Sequence, residues 1–278
     1  MGYIVALLTV IFLWWLSTGV ILMLSRSEKR AQFQNLVLLS LTSLACLALV
    51  PAVNMNATTF ASVMGFGQGL VIWAWLEYTY LSGYLTGPQK APCPEGSTDW
   101  ERFVLGIKTS IYHDVAVIAA VGIVLAMSVA GPNKIALYTL LSLWAMRWSA
   151  KLNLFLGVRN YNVDWFPSHL QHLDSYTKRA PLNALFPLSV TAGTVAAALA
   201  IHQGATSGTG YDQMAGLLIG ALLTLGVLEH WFLVLPFNES QLWRWAVSKP
   251  SSTPAEPVQP QLASVHTLCP KERTSPLS

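Results

Sequence analysis

The sequence predicts an all-α, polytopic membrane protein of seven transmembrane helices, and three observations carry that prediction. Of its 278 residues 53% are hydrophobic and 10% charged, where soluble domains carry about 25% charged residues. The apolar residues gather into runs of about 20, the length that takes an α-helix across a hydrocarbon core. The basic residues fall on alternate connections between those runs, which is the pattern that orients helices in a bilayer.

Span one is expected near 3–24. Met1-Gly2-Tyr3 lacks a basic leader and the run is too long for a signal peptide, so the helix is expected to stay in the mature protein. Spans two and three follow near 35–54 and 60–85. The connection from Gly87 to Gly106 opens with Pro88, Pro92 and Pro94, then becomes amphipathic at Trp100-Glu101-Arg102-Phe103, as a segment at the membrane interface would. Span four lies near 109–130, and span five, near 133–157, carries Arg147 and Lys151 inside it. In the polar and aromatic stretch from Tyr161 to Leu182, a short helix is expected near 168–178 on the cytoplasmic face, with Ser168 as N-cap and Gln171 completing a capping box. Spans six and seven lie near 183–203 and 212–235. Residues 1–247 thus form the transmembrane domain, and 248–278, with Pro250, Pro254, Pro257 and Pro260 among Ser and Thr, read as a disordered tail.

Thirteen of the 16 Lys and Arg lie after spans one, three, five and seven, whereas the opposite loops hold Lys134 alone. The positive-inside rule then sets the N-terminus in the periplasm and the C-terminus in the cytoplasm. Cys46, Cys93 and Cys269 have no paired spacing, so neither a disulfide framework nor a thiolate metal site is indicated. The absence of an internal repeat argues against a transporter built from matched halves. The expected partner is the lipid bilayer, and no nucleic acid is expected.

Ionisable side chains in a membrane are costly and mark functional sites by default. Glu77, His113, Asp114, Glu229 and His230 fall within expected spans, and His169 and His172 in the connection on the same side. At about 1.5 Å per residue, Glu77, His113 and Glu229 all sit roughly 8–12 Å inside the cytoplasmic leaflet. Imidazole mixed with carboxylate suits iron, manganese or zinc, so the candidate metal set is Glu77, His113, His169, His172, Glu229 and His230, with Asp114 orienting a ligand. Lys151 and Asn153 lie at a comparable depth and are the candidate substrate-binding residues. Neighbours in Glu229-His230 and His113-Asp114 are about 100° apart on a helix, so both members of a pair cannot face one ion. No ExxH or HExxH run is present.

Two further readings stand beside the metal site. Glu77 could pair with Lys151, and Asp114 with a histidine, as structural ion pairs. A histidine could also serve as axial ligand to the magnesium of a chlorin. Trp73 and Trp75 flank Glu77 and are candidates to wall a pocket, while Trp243 and Trp245 read as an interfacial aromatic belt.

Three strings are distinctive: Lys151-Leu152-Asn153-Leu154-Phe155-Leu156-Gly157-Val158-Arg159-Asn160 with Pro167-Ser168-His169-Leu170; Asn183-Ala184-Leu185-Phe186-Pro187-Leu188; and Leu228-Glu229-His230-Trp231-Phe232 through Pro236. They resemble the PuhE family, photosynthetic complex assembly proteins of purple phototrophic bacteria, over the chain up to Trp245. The resemblance implies a multi-pass protein of the bacterial inner (intracytoplasmic) membrane. It would act in assembly of the photosynthetic reaction centre or in supply of bacteriochlorophyll, with bacteriochlorophyll or a precursor as cofactor. Its partners would be reaction-centre or light-harvesting subunits or pigment-synthesis enzymes. The competing expectation is a membrane-embedded, metal-dependent (di-iron) oxidoreductase or hydrolase acting on a tetrapyrrole or lipid-like substrate at the cytoplasmic leaflet.

Overall fold

The structure is a computed structural model that describes residues 2–161, 166–236 and 242–247; the tail assigned above to disorder lies outside them. Helices dominate, in the order α1 (Gly2–Ser25), α2 (Lys29–Asn54), α3 (Thr59–Leu81), α4 (Asp99–Lys108), α5 (Ile111–Ser128), α6 (Ile135–Leu156), α7 (Leu185–Thr206), α8 (Gly210–Phe232) and α9 (Arg244–Val247). A 3-10 helix, Ser168–Tyr176, stands between α6 and α7. Among the described residues there is no strand, and an isolated bridge pairs Val158 with Arg179.

Six of these helices, α1, α2, α3, α5, α7 and α8, are long and apolar enough to cross a membrane. Their outward faces fit that solvent: Leu38, Leu41, Leu44 and Leu49 of α2 are each more than half exposed, as suits contact with lipid tails. The boundaries differ from expectation where the backbone turns. α3 stops at Leu81, short of 85, because Gly83 takes a positive φ of 81°, a region open to glycine. α2 begins at Lys29, earlier than 35, and takes Arg30 into its first turn.

Two sets of hydrogen bonds fix the ends of the bundle. At one end Asn54, the last residue of α2, donates to Ser128 O of α5 (3.1 Å) and to Asn133 O (2.6 Å), and Asn133 donates to Ala61 O in the first turn of α3 (2.9 Å). The start of α8 joins them, since Ser62 Oγ donates to Tyr211 O at 3.3 Å. At the other end Asn183 donates to Asn153 O of α6 and to Gly157 O, the residue that follows α6, while its Oδ1 accepts from Leu185 N and Phe186 N of α7. Asn160 N reaches Leu233 O just past α8, and Tyr112 N of α5 reaches Thr86 O. These contacts make successive long helices antiparallel. They also make α3 and α6 parallel.

That parallel pair has a fixed register. A Cβ on Gly65 would meet Ile135 and Asn133; one on Gly69 would lie 2.7 Å from Thr139 Cβ and 3.0 Å from Ala136 O. Farther along, Glu77 meets Arg147 at the same separation of 70 residues. Glycine therefore lets α3 and α6 close together and carries the register to the charged pair. α7 is held to α8 in a similar way, with Gly216 packed on Ala200 O and Gly204, the small-residue contact usual between helices in membranes.

The connections differ from their expected form in detail. Trp100–Phe103 belongs to a helix, α4, opened by a capping box in which Thr98 Oγ1 accepts from Glu101 N and Glu101 accepts from Thr98 N. The expected capping box at Ser168 and Gln171 is absent: Pro167 is the cap residue with no side-chain bond, and 3-10 winding puts Leu170 N on Pro167 O at 2.8 Å. Trp243 is 3% exposed, donates to Trp15 O and packs edge-on against Trp14. It is part of the core and not of an interfacial belt.

Replacing Gly69 by valine sets a side chain against Ala136 O, which is backbone, and against the root of Thr139. We expect a loss of about 1–3 kcal/mol of stability, read as a lowered melting temperature in detergent, with Gly67→Val, which has open space around it, close to wild type.

Candidate functional site

α1, α3, α4, α6 and α8 line a partly open cavity of about 450 Å³, within the usual range of roughly 300–1,000 Å³ for small-molecule sites. Its walls are largely aromatic and aliphatic, including Trp14, Phe66, Trp73, Tyr80, Phe103 and Phe155. Phe103, Gly106 and Ile107 bring α4 over one side, and Phe166, Leu173 and Tyr176 bring the 3-10 helix and its approach beside it. Arg102 and Phe155 form a cation–π contact at 4.7 Å that ties α4 to α6.

Two carboxylic and two basic side chains line this apolar space: Glu77, Glu229, Arg147 and Lys151. Arg147 Nη1 bonds both oxygens of Glu77, and its guanidinium stacks 5.0 Å from the Tyr80 ring. Lys151 Nζ bonds Asp114 Oδ2 at 2.9 Å, also reaches Ser110 Oγ, and lies 4.7 Å from the Trp148 ring. Asp114 further accepts from Ser110 Oγ at 3.0 Å. These are ion pairs, one as expected in part and one not. Asp114 has the expected histidine beside it, His113, with Nδ1 3.8 Å from Oδ1, and takes Lys151 as its closer partner. Glu77 takes Arg147 instead of Lys151, because Arg147 and Lys151 lie one turn apart on one face of α6 and meet α3 and α5 separately.

The other expected site residues are dispersed. Glu229 accepts from Trp14 Nε1 at 2.6 Å, and among the described residues no lysine, arginine or histidine pairs with it. His230, its neighbour, points elsewhere: Nδ1 bonds Gly226 O at 2.7 Å and Nε2 bonds Ser149 Oγ of α6 at 2.8 Å. His113 is fully buried against Tyr80, its Nδ1 3.8 Å from Asp114 and neither ring nitrogen hydrogen-bonded. Asn153 does not line the cavity; it donates to Ser189 Oγ of α7. His169 and His172 lie at a separate, polar pocket beside Lys29 and Lys90. Among the described residues no group of three or more His, Cys, Asp or Glu is placed to hold a metal ion.

Trp73 walls the cavity, but Trp75 turns to α2 and donates to Ser40 Oγ at 2.8 Å. Sequence reasoning passed over Arg147, Tyr80 and Trp14 as site residues. The signal for Arg147 was its four-residue spacing from Lys151, which puts two cations on one face of an otherwise apolar helix.

With this geometry in hand, residues 1–254 match the family described as "Protein of unknown function (DUF3623)". The chain belongs to this family. It is 36% identical over 259 residues to the "Uncharacterized 30.4 kDa protein in puhA 5'region" of Rhodobacter capsulatus, covering 90% of this chain and 94% of that protein. No solved structure matches. The match to a protein named for its position beside puhA agrees with the PuhE resemblance carried by the residue strings. The matched span takes in the cavity and both ion pairs.

On the 3-10 helix, burial foremost, then the charges of Lys29, His172 and Lys90, hold His169 below the usual histidine value of 6.5. A histidine depressed in the folded state takes its proton first in the unfolded chain, so stability falls as pH drops below about 6.5. We expect the melting temperature in detergent to fall between pH 7 and pH 5, and His169→Gln to reduce that slope.

Proposed function

We propose that this chain is an integral membrane factor acting in the assembly of the photosynthetic complexes, and that it holds an amphiphile, bacteriochlorophyll or a precursor, in the cavity between α1, α3, α6 and α8. The observation that carries the reading is the cavity itself: apolar aromatic walls that also present Arg147, Lys151 and Glu229. Such a site suits a flat apolar body that ends in carbonyl or carboxylate groups. The name of the relative in Rhodobacter capsulatus, in the puhA 5' region, supports the photosynthetic context. Reaction-centre or light-harvesting subunits, or pigment-synthesis enzymes, are the partners to which such a factor would deliver.

In this reading α6 is a seventh crossing. It starts beside Asn54 and ends beside α7 and α8 at the opposite end, and its 22 residues span about 33 Å. Arg147 and Lys151 remove it from the purely apolar class, and their pairing with Glu77 and Asp114 offsets that cost. Arg26, Lys29, Lys90, Lys108, Arg159 and Lys178 all lie toward the end that holds His169, whereas Lys134 is at the Asn54 end. The positive-inside rule then makes the His169 end cytoplasmic, with the N-terminus in the periplasm of the inner membrane.

A metal-dependent oxidoreductase or hydrolase would need iron, manganese or zinc on convergent donors. Here Glu77 and Asp114 are engaged by cations, and His230 by Ser149 and Gly226 O. The donor set fits a polar lining better than a metal centre.

Protein purified in a mild detergent from a phototrophic host is expected to yield a tetrapyrrole spectrum on solvent extraction. Ala74→Phe and Ser142→Phe, which fill the cavity from two helices, should lower the yield at least about tenfold while melting temperature holds; tenfold corresponds to about 1.4 kcal/mol of binding. Pigment-free wild type, or undiminished pigment in both variants, would contradict the proposal.

A further inference from the structure

A second pocket, of about 310 Å³, opens where the first residue of α2 meets the end of α3, the following loop and the 3-10 helix. Lys29, Lys90, His169 and His172 line it together with Ser82 and Thr86. Among the described residues no Asp or Glu lines it. Lys29 and Lys90 form no ion pair with any described residue. Ser82 is 5% exposed and its Oγ has no hydrogen-bond partner, nor has Nε2 of His172, whose Nδ1 bonds His169 O at 2.9 Å. The site is built rather than incidental: Gly83, at a φ of 81°, lets His169 approach so closely that a Cβ there would lie 2.9 Å from His169 Nε2.

Such a cluster repels a divalent cation. Two ammonium groups stand beside the imidazoles and no carboxylate offsets them, so the histidine pair that spacing alone suggested for a metal is set in the wrong electrostatic surroundings for one. An oxyanion meets the opposite situation. It would find two unpaired ammonium groups for charge-assisted hydrogen bonds and a buried hydroxyl without a partner.

We infer that this pocket binds a phosphoryl group, at the end of the bundle where Lys29 begins α2 and His169 closes over Gly83. The group comes either from the headgroup of an anionic phospholipid or from a soluble phosphate. The inference is independent of the cavity ligand, because Thr109 alone lines both spaces.

The test uses full-length protein in nanodiscs, with two probes. Native mass spectrometry measures phosphatidylglycerol retained from mixed phosphatidylglycerol and phosphatidylcholine discs, and thermal unfolding in pure phosphatidylcholine discs is followed with and without inorganic phosphate. Lys29→Gln with Lys90→Gln removes the unpaired cations; Lys29→Arg with Lys90→Arg keeps them; Lys108→Gln, a lysine nearby in sequence that does not line the pocket, is the control. We expect the glutamine pair to weaken binding about tenfold, the loss of roughly one charge-assisted hydrogen bond, with the arginine pair and the control near wild type. Loss of retained phosphatidylglycerol identifies a headgroup, and loss of the phosphate-induced rise in melting temperature identifies a soluble phosphate. Equal behaviour of wild type and the glutamine pair with both probes overturns the inference.

Discussion

Charge buried among apolar helices must be neutralised where it stands, and that constraint organises this molecule. α6 brings Arg147 and Lys151 into contact with helices that otherwise offer little but aliphatic and aromatic surface. Each cation finds one carboxylate, Glu77 on α3 and Asp114 on α5. Removing one partner of such a pair leaves an uncompensated charge at a cost of several kcal/mol. The pairs therefore fix the rotation of α6 against two neighbours at once, and the constant separation of 70 residues from Gly65 to Glu77 is the geometric record of it on α3.

The same arrangement makes a site. Once Arg147 and Lys151 are drawn to one face of α6, the wall they occupy is polar while Trp14, Trp73, Tyr80 and Phe155 leave the rest apolar. Glu229 completes the polar wall from α8, steadied by the indole N–H of Trp14 on α1. α4 and the 3-10 helix line the cavity at the end where the basic loops gather, and Thr109 lines both the cavity and the basic pocket.

Most of the fold was legible because an apolar run of 20 residues has few alternatives to a helix, and six of the helices answer to that signal. The carboxylates that Arg147 and Lys151 meet were not. Depth measured from helix ends assumed that α3 and α6 finish level, but at their true register Leu81, the last residue of α3, stands opposite Lys151, and α6 runs on to Leu156. Glu77 therefore meets Arg147, one turn earlier. The separation of Glu229 from His230 was legible, since neighbours on a helix diverge by about 100°. What sequence could not supply was the charge around His169 and His172, because Lys29 and Lys90 reach them from segments far away in the chain.

Exchanging the charges of the α3–α6 pair tests the central claim most directly. Glu77→Arg, Arg147→Glu and the double exchange would be compared for folded yield in membranes and for melting temperature in a mild detergent. If the pair fixes α6, each single change loses about 3 kcal/mol or more and the exchange recovers most of it. An exchange no more stable than the single variants, or single variants that match wild type, would contradict the account.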